Sequence, residues 1–190
     1  MGVAFDGTGL GPDGTIWGGE FLAATAAKFT RVGHLFQFGL LGGEQAIREP
    51  WRVAAALLID SEGSDCEAEL ARLTPQTTDA ATLRRLLSDP SISPRSSSVG
   101  RLFDGVASLV LGRPLANYQG ELAMCLEAAC DPEESGSYVM PILDGEPLQI
   151  DWRLMIQSIL GDRRDRVPVG TIAMRFHRSL ANSVKALVDR

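Results

Sequence analysis

The first twenty residues constrain the fold most. The run Val3-Ala4-Phe5-Asp6-Gly7-Thr8-Gly9-Leu10-Gly11-Pro12-Asp13-Gly14-Thr15-Ile16-Trp17-Gly18-Gly19-Glu20 opens with a short apolar segment that reads as a buried strand. Pro12-Asp13-Gly14 carries turn chemistry, with proline to set φ and glycine to take a left-handed position. Thr15-Ile16-Trp17 then reads as a returning strand, so the stretch is a β-hairpin with a glycine-rich first half. Asp6-Gly7-Thr8-Gly9 leaves backbone N–H groups uncovered by any Cβ. Those groups and the Thr8 hydroxyl can cradle phosphate oxygens, and Asp6 can ligate a metal ion. A tight hairpin with no ligand fits the same residues equally well.

Past the hairpin, Phe21–Phe38 holds a further strand around Val32-Gly33-His34-Leu35, where His34 reads as a hydrogen-bonded core or edge residue. The spacing then predicts helices in series. One has Pro50 near its start and Trp51–Ile59 as its apolar body. The capping box Ser64-Asp65-Cys66-Glu67 starts a second, over 65–73. Others cover 79–88, 100–110 and 121–130, with a Pro- and Ser-rich loop over 89–98. Asp144-Gly145-Glu146-Pro147 is a turn between extended segments at 138–142 and 148–150. Asp151 caps a helix that Gly161 ends. The last helix spans 170–188, with Ile172, Phe176, Leu180, Val184 and Leu187 as its apolar stripe and His177 off its centre.

At 190 residues and 45% hydrophobic the chain builds one good core. A net charge of −6 argues against a nucleic-acid or anionic-membrane partner. No apolar run reaches the length of a bilayer span, and no signal peptide precedes the hairpin. Cys66, Cys125 and Cys130 match no metal or redox spacing, and with only His34 and His177 available they read as structural thiols in a reducing cytoplasm.

Four stretches carry a resemblance to a known family. They are Asp6–Phe21, then Gly43-Glu44-Gln45-Ala46-Ile47-Arg48-Glu49-Pro50-Trp51-Arg52, Ser96-Ser97-Ser98-Val99-Gly100-Arg101-Leu102-Phe103-Asp104, and Ala173-Met174-Arg175-Phe176-His177. In this order they resemble the HypF carbamoyltransferases, the maturation factors of nickel–iron hydrogenases. The resemblance implies a mixed α+β fold, with a small antiparallel sheet from residues 1–40 beside a larger helical portion over 44–190. Together they form part of an actin- and sugar-kinase-like nucleotide-binding domain. It implies a phosphate and nucleotide site at Gly7, Thr8, Gly9, Gly100, Asp104 and Gly120, with Asp104 on a ribose hydroxyl and Asp6 on a divalent metal (Mg, Fe or Zn). Asn117-Tyr118-Gln119-Gly120-Glu121 departs from the family's Tyr-Glu-Gly-Gln, which leaves Gly120 a backbone role.

The implied chemistry starts from ATP and carbamoyl phosphate, passes through carbamoyl-adenylate, and ends on a cysteine of a HypE-like partner in the cytoplasm. The family's upstream His-x-x-x-His pair and downstream Ser-Gly-Gly strand do not occur in these residues. The expectation is therefore an internal fragment, inactive alone, whose open sheet edge favours a homodimer or poor solubility. Two other readings compete: a non-catalytic HypE-docking module, and an O-carbamoyltransferase acting on a small molecule.

Overall fold

The computed structural model describes residues 1–61, 66–74 and 79–190. The hairpin forms as expected, from β1 (Gly2–Leu10) and β2 (Ile16–Ala24). Its turn closes through Gly14 N–H to Gly11 O at 3.0 Å, with Gly14 at φ 78°. Antiparallel β3 (Phe29–Leu35) follows, then the two-residue β4 (Phe38–Gly39).

Later chain joins this sheet and makes it mixed rather than antiparallel. β5 (Arg95–Ser96) runs parallel to the start of β2 and antiparallel to β4. β7 (Leu148–Ile150) runs parallel to β3, and β6 (Ile142–Leu143) pairs with β7. The sheet is thus drawn from well beyond residues 1–40. β1 does not form the expected buried strand. Its only partner among the described residues is β2, so Val3 and Phe5 stand 42% and 45% exposed.

Eight helices are seen among the described residues. They are α1 (Gln45–Arg48), α2 (Trp51–Ser61), α3 (Cys66–Leu73), α4 (Ala80–Leu87), α5 (Val99–Leu111), α6 (Glu121–Ala128), α7 (Arg153–Arg164) and α8 (Val169–Val188). The expected cap residues of α3, Ser64 and Asp65, lie outside the described residues, whereas Asp79 caps α4 by accepting from Thr82 N–H at 2.7 Å. α2 is apolar on nearly every face and buried at every position but Arg52 and Asp60, which places it at the centre, against α3, α5 and α7. Gly105 lets α5 approach closely, since a Cβ there would stand 2.8 Å from Leu57 and Val53 side-chain atoms.

Gly161 does not end α7. It sits inside the helix in open space, and the left-handed position beyond the last turn falls instead to Arg166 at φ 59°. His34 is buried opposite Glu20, with Nδ1 2.8 Å from Leu35 O, and burial lowers its pKa. Trp152 is fully buried between Phe36 and Phe38 and donates from Nε1 to Phe36 O at 2.6 Å. No helix among the described residues is long and apolar enough to cross a membrane.

Candidate nucleotide cleft

The site begins with an irregularity in β1. Phe5 pairs with Gly19 and Gly9 with Trp17, so Asp6, Gly7 and Thr8 face Gly18 alone. Such a bulge detaches the backbone from the ladder and re-aims it. Gly18 is required beneath it, because a Cβ there would stand 2.6 Å from Asp6 O.

Ser98 joins the bulge to α5. Its hydroxyl lies 2.9 Å from Asp6 O and also bonds Gly7 O, while accepting the Arg101 N–H at 3.0 Å as the helix N-cap. A second pin is Glu20, buried on β2. Its carboxylate accepts from Gly18 N–H and Gly19 N–H at 3.2 Å each, from Arg31 Nε at 2.6 Å and from the Ser97 hydroxyl. Sequence reasoning assigned Glu20, Ser97 and Ser98 no role, because their partners lie far along the chain.

Between the bulge, α5 and α6 opens a cleft of about 590 Å³. Of the expected site residues, Gly7, Gly100, Asp104 and Gly120 line it together. Gly100 packs against the bulge so tightly that a Cβ would stand 2.9 Å from Gly7 Cα. Gly120 takes φ 83° at the start of α6, which glycine alone adopts without strain. Thr8 and Gly9 lie further along β1 and do not line the cleft. Arg101, Phe103, Gln119 and Met124 also line it, although nothing in their local spacing singles them out. Glu121 is turned away, held by Arg113 at 2.6 Å and by Asn117.

Asp104 is 2% exposed, and burial pushes its pKa up to about 6 against the opposing pull of Arg101. Arg101 Nη1 approaches its Oδ2 to 2.9 Å, yet neither atom has a hydrogen-bonded partner, and Arg101 Nε and Ser108 Oγ are also unsatisfied. Buried polar atoms left open in this way mark a place where a polar ligand belongs.

Asp6 differs. It is exposed, and its Oδ1 accepts the Gly7 N–H at 2.6 Å. Among the described residues no group of three or more His, Cys, Asp or Glu side chains is placed to hold a metal. Asp6 alone does not complete a metal site, and a cation bound there would take its remaining ligands from outside the described residues. Cys66 and Cys130 also lack catalytic surroundings. Burial pushes Cys66 and Cys130 up, and His177 Nδ1, 3.4 Å from Cys130 Sγ, lies nearer to Ala173 O at 2.7 Å.

A bulged glycine strand facing a helix N-terminus and a buried aspartate defines a mixed α/β protein with a polar cleft. Comparison with known proteins gives the family. Residues 2–190 match the family model described as "Carbamoyltransferase, Kae1-like Domain, second subdomain". The carbamoyltransferase HypF of Synechocystis sp. is 38% identical over 208 residues, covering 100% of this chain and 27% of that protein. HypF of Rhodobacter capsulatus is 39% identical over 192 residues, covering 99% and 24%. A crystal structure of full-length HypF in its phosphate- and nucleotide-bound form superposes with TM-score 0.85 at 29% identity, over 98% of this chain and 24% of that one. The chain belongs to the HypF carbamoyltransferase family, and it spans about a quarter of the length of these relatives.

Proposed function

We propose that these residues form one wall of the nucleotide site in the catalytic domain of a HypF-type carbamoyltransferase. The observation that carries this reading is the convergence of Gly7, Gly100, Asp104 and Gly120 on one cleft. In it, Asp104 accepts from a ribose hydroxyl, the missing Cβ at Gly7 lets phosphate oxygens approach, and Gly100 holds the bulge against the N-terminus of α5. Thr8 and Gly9 shape the bulge rather than touch the ligand, and Asp6 supplies at most one ligand to a metal completed by other groups.

The reaction served begins with carbamoyl phosphate, which loses its phosphate to water to give carbamate; a carbamate oxygen then attacks the α-phosphorus of ATP, and pyrophosphate leaves as carbamoyl-adenylate forms. The carbamoyl carbon then passes to a cysteine thiolate of a HypE-like partner, and AMP departs with the electron pair of the broken C–O bond. That carbamoyl group is the precursor of cyanide for hydrogenase maturation in the cytoplasm. This wall contributes position and charge: it holds the adenylate so that the thiolate needs only to approach. Met124 on the cleft lining and Tyr118 beside Gln119 are both more than half exposed, which suits the approach of a partner chain.

Calorimetric titration of the chain with ATP and Mg²⁺, beside an Asp104→Ala variant, tests the reading. Saturable binding that the variant loses supports it. Equal binding by both proteins, or none by the folded chain, refutes the cleft as a self-sufficient nucleotide site and leaves partner docking as its function.

A further inference from the structure

Arg101 is the buried neighbour of Asp104 in the cleft, and its own donors are the less satisfied. The residue is 2% exposed. Its Cα is fixed in the first turn of α5, where its N–H bonds Ser98 Oγ, one turn from the β1 bulge. From there the side chain runs to Asp104, but the 2.9 Å approach of Nη1 lacks hydrogen-bond alignment, and Nε has no acceptor. The other amino group, Nη2, lies 3.5 Å from where a Cβ on Gly7 would stand, with Gln119 Nε2 at 3.2 Å from the same point.

An arginine buried only for stability fills its five donors from nearby carbonyls and carboxylates. Here Nε and Nη1 stay without a hydrogen-bonded partner within the wall, and Nη2 reaches the space that glycine keeps clear at position 7. The planar guanidinium matches oxyanions in a two-pronged fork, which a hydroxyl or a base edge does not exploit. The N-terminus of the 13-residue α5 adds partial positive charge at the same place. Glu127, the other acid of the cleft, is solvent-exposed on α6, so its repulsion is screened.

We propose that Arg101 is the anion-contacting residue of this cleft, receiving a phosphate or acyl-phosphate oxygen beside Gly7 while Asp104 takes the neighbouring hydroxyl. The proposal rests on the nucleotide reading above and deepens it: the wall selects a nucleotide over a nucleoside. Arg101 is then what couples the hydroxyl end of the ligand to its anionic end.

The test is calorimetry on the full 190-residue chain with adenosine, AMP and pyrophosphate, for the unaltered protein and for Arg101→Met and Arg101→Lys. AMP should bind the unaltered chain about tenfold tighter than adenosine, as charge-assisted bonds to a phosphate imply. Arg101→Met should erase most of that ratio while leaving adenosine within about threefold of its original affinity. Arg101→Lys keeps the charge, loses the fork and should retain part of the ratio; it serves alone if circular dichroism shows Arg101→Met unfolded. Equal losses for AMP and adenosine would make Arg101 a structural partner of Asp104 and overturn the proposal. Arg101-dependent binding of pyrophosphate without adenosine binding would sink the nucleotide reading and uphold the anion contact. A folded chain that binds none of the three probes would overturn both.

Discussion

Gly100→Ala and Gly161→Ala make a matched pair, since both glycines lie inside helices and both substitutions gain about 1 kcal/mol of helix propensity. At Gly161 a new Cβ meets nothing within 4 Å. That variant should therefore be more stable by about 0.5–1 kcal/mol, raising Tm by about 2–4 °C per kcal/mol. At Gly100 the Cβ stands 2.9 Å from Gly7 Cα, 3.2 Å from Asp6 O and 3.3 Å from Gly7 N. All three are backbone atoms of a bulge that Ser98 ties to the same helix, so they cannot swing aside as a side-chain end would. Overpacking of this kind costs about 1–3 kcal/mol. The two alanine variants should then differ by about that amount, with Gly100→Ala the weaker, and its nucleotide affinity should fall as the bulge moves from α5. Urea denaturation at a shared m-value measures the difference. A Gly100→Ala protein stabilised as much as Gly161→Ala would show that β1 and α5 are not rigidly joined, and the account of the cleft would fail with it.

Asp104 gives a pH signature, because its acceptor role needs the carboxylate. ATP affinity should fall as pH drops below about 6, and a flat profile from pH 8 to 5 would remove Asp104 from the site. Stability runs the other way: the folded-state pKa lies above the unfolded 3.8, so this group's contribution is fullest below about pH 4. It is lost as pH rises through about 6, to a total of about 3 kcal/mol, and Asp104→Asn should not show that decline. Glu20→Gln should cost about 2–4 kcal/mol in urea denaturation, since it removes the buried one of the two carboxylates paired with the largely buried Arg31 and leaves only the more exposed Asp13; a loss under about 0.5 kcal/mol would contradict the pinning role. Thiol labelling of the folded chain at pH 8 should reach the part-exposed Cys125 first and Cys130, whose thiol burial pushes up, more slowly, with the buried Cys66 reacting only on unfolding; fast labelling of Cys66 would contradict its burial.

Local chemistry in the sequence determined the Pro12–Gly14 turn, the N-cap of α4 at Asp79 and the stripe of α8, because each depends on residues within one or two turns of chain. The spacing of Gly100 and Asp104 on one helix was legible for the same reason. The tertiary structure alone decided what those elements face. Val3 and Phe5 have the pattern of a buried strand, yet they are exposed because β1 has β2 as its only described partner. Gly161 has the chemistry of a helix stop, but packing of α7 against α2 carries the helix past it. Arg101 is charged yet buried, and Glu20, at the end of the hairpin stretch, anchors Ser97, 77 residues away. Burial and charge pairing are set by which distant segments meet, and no window of sequence contains both partners.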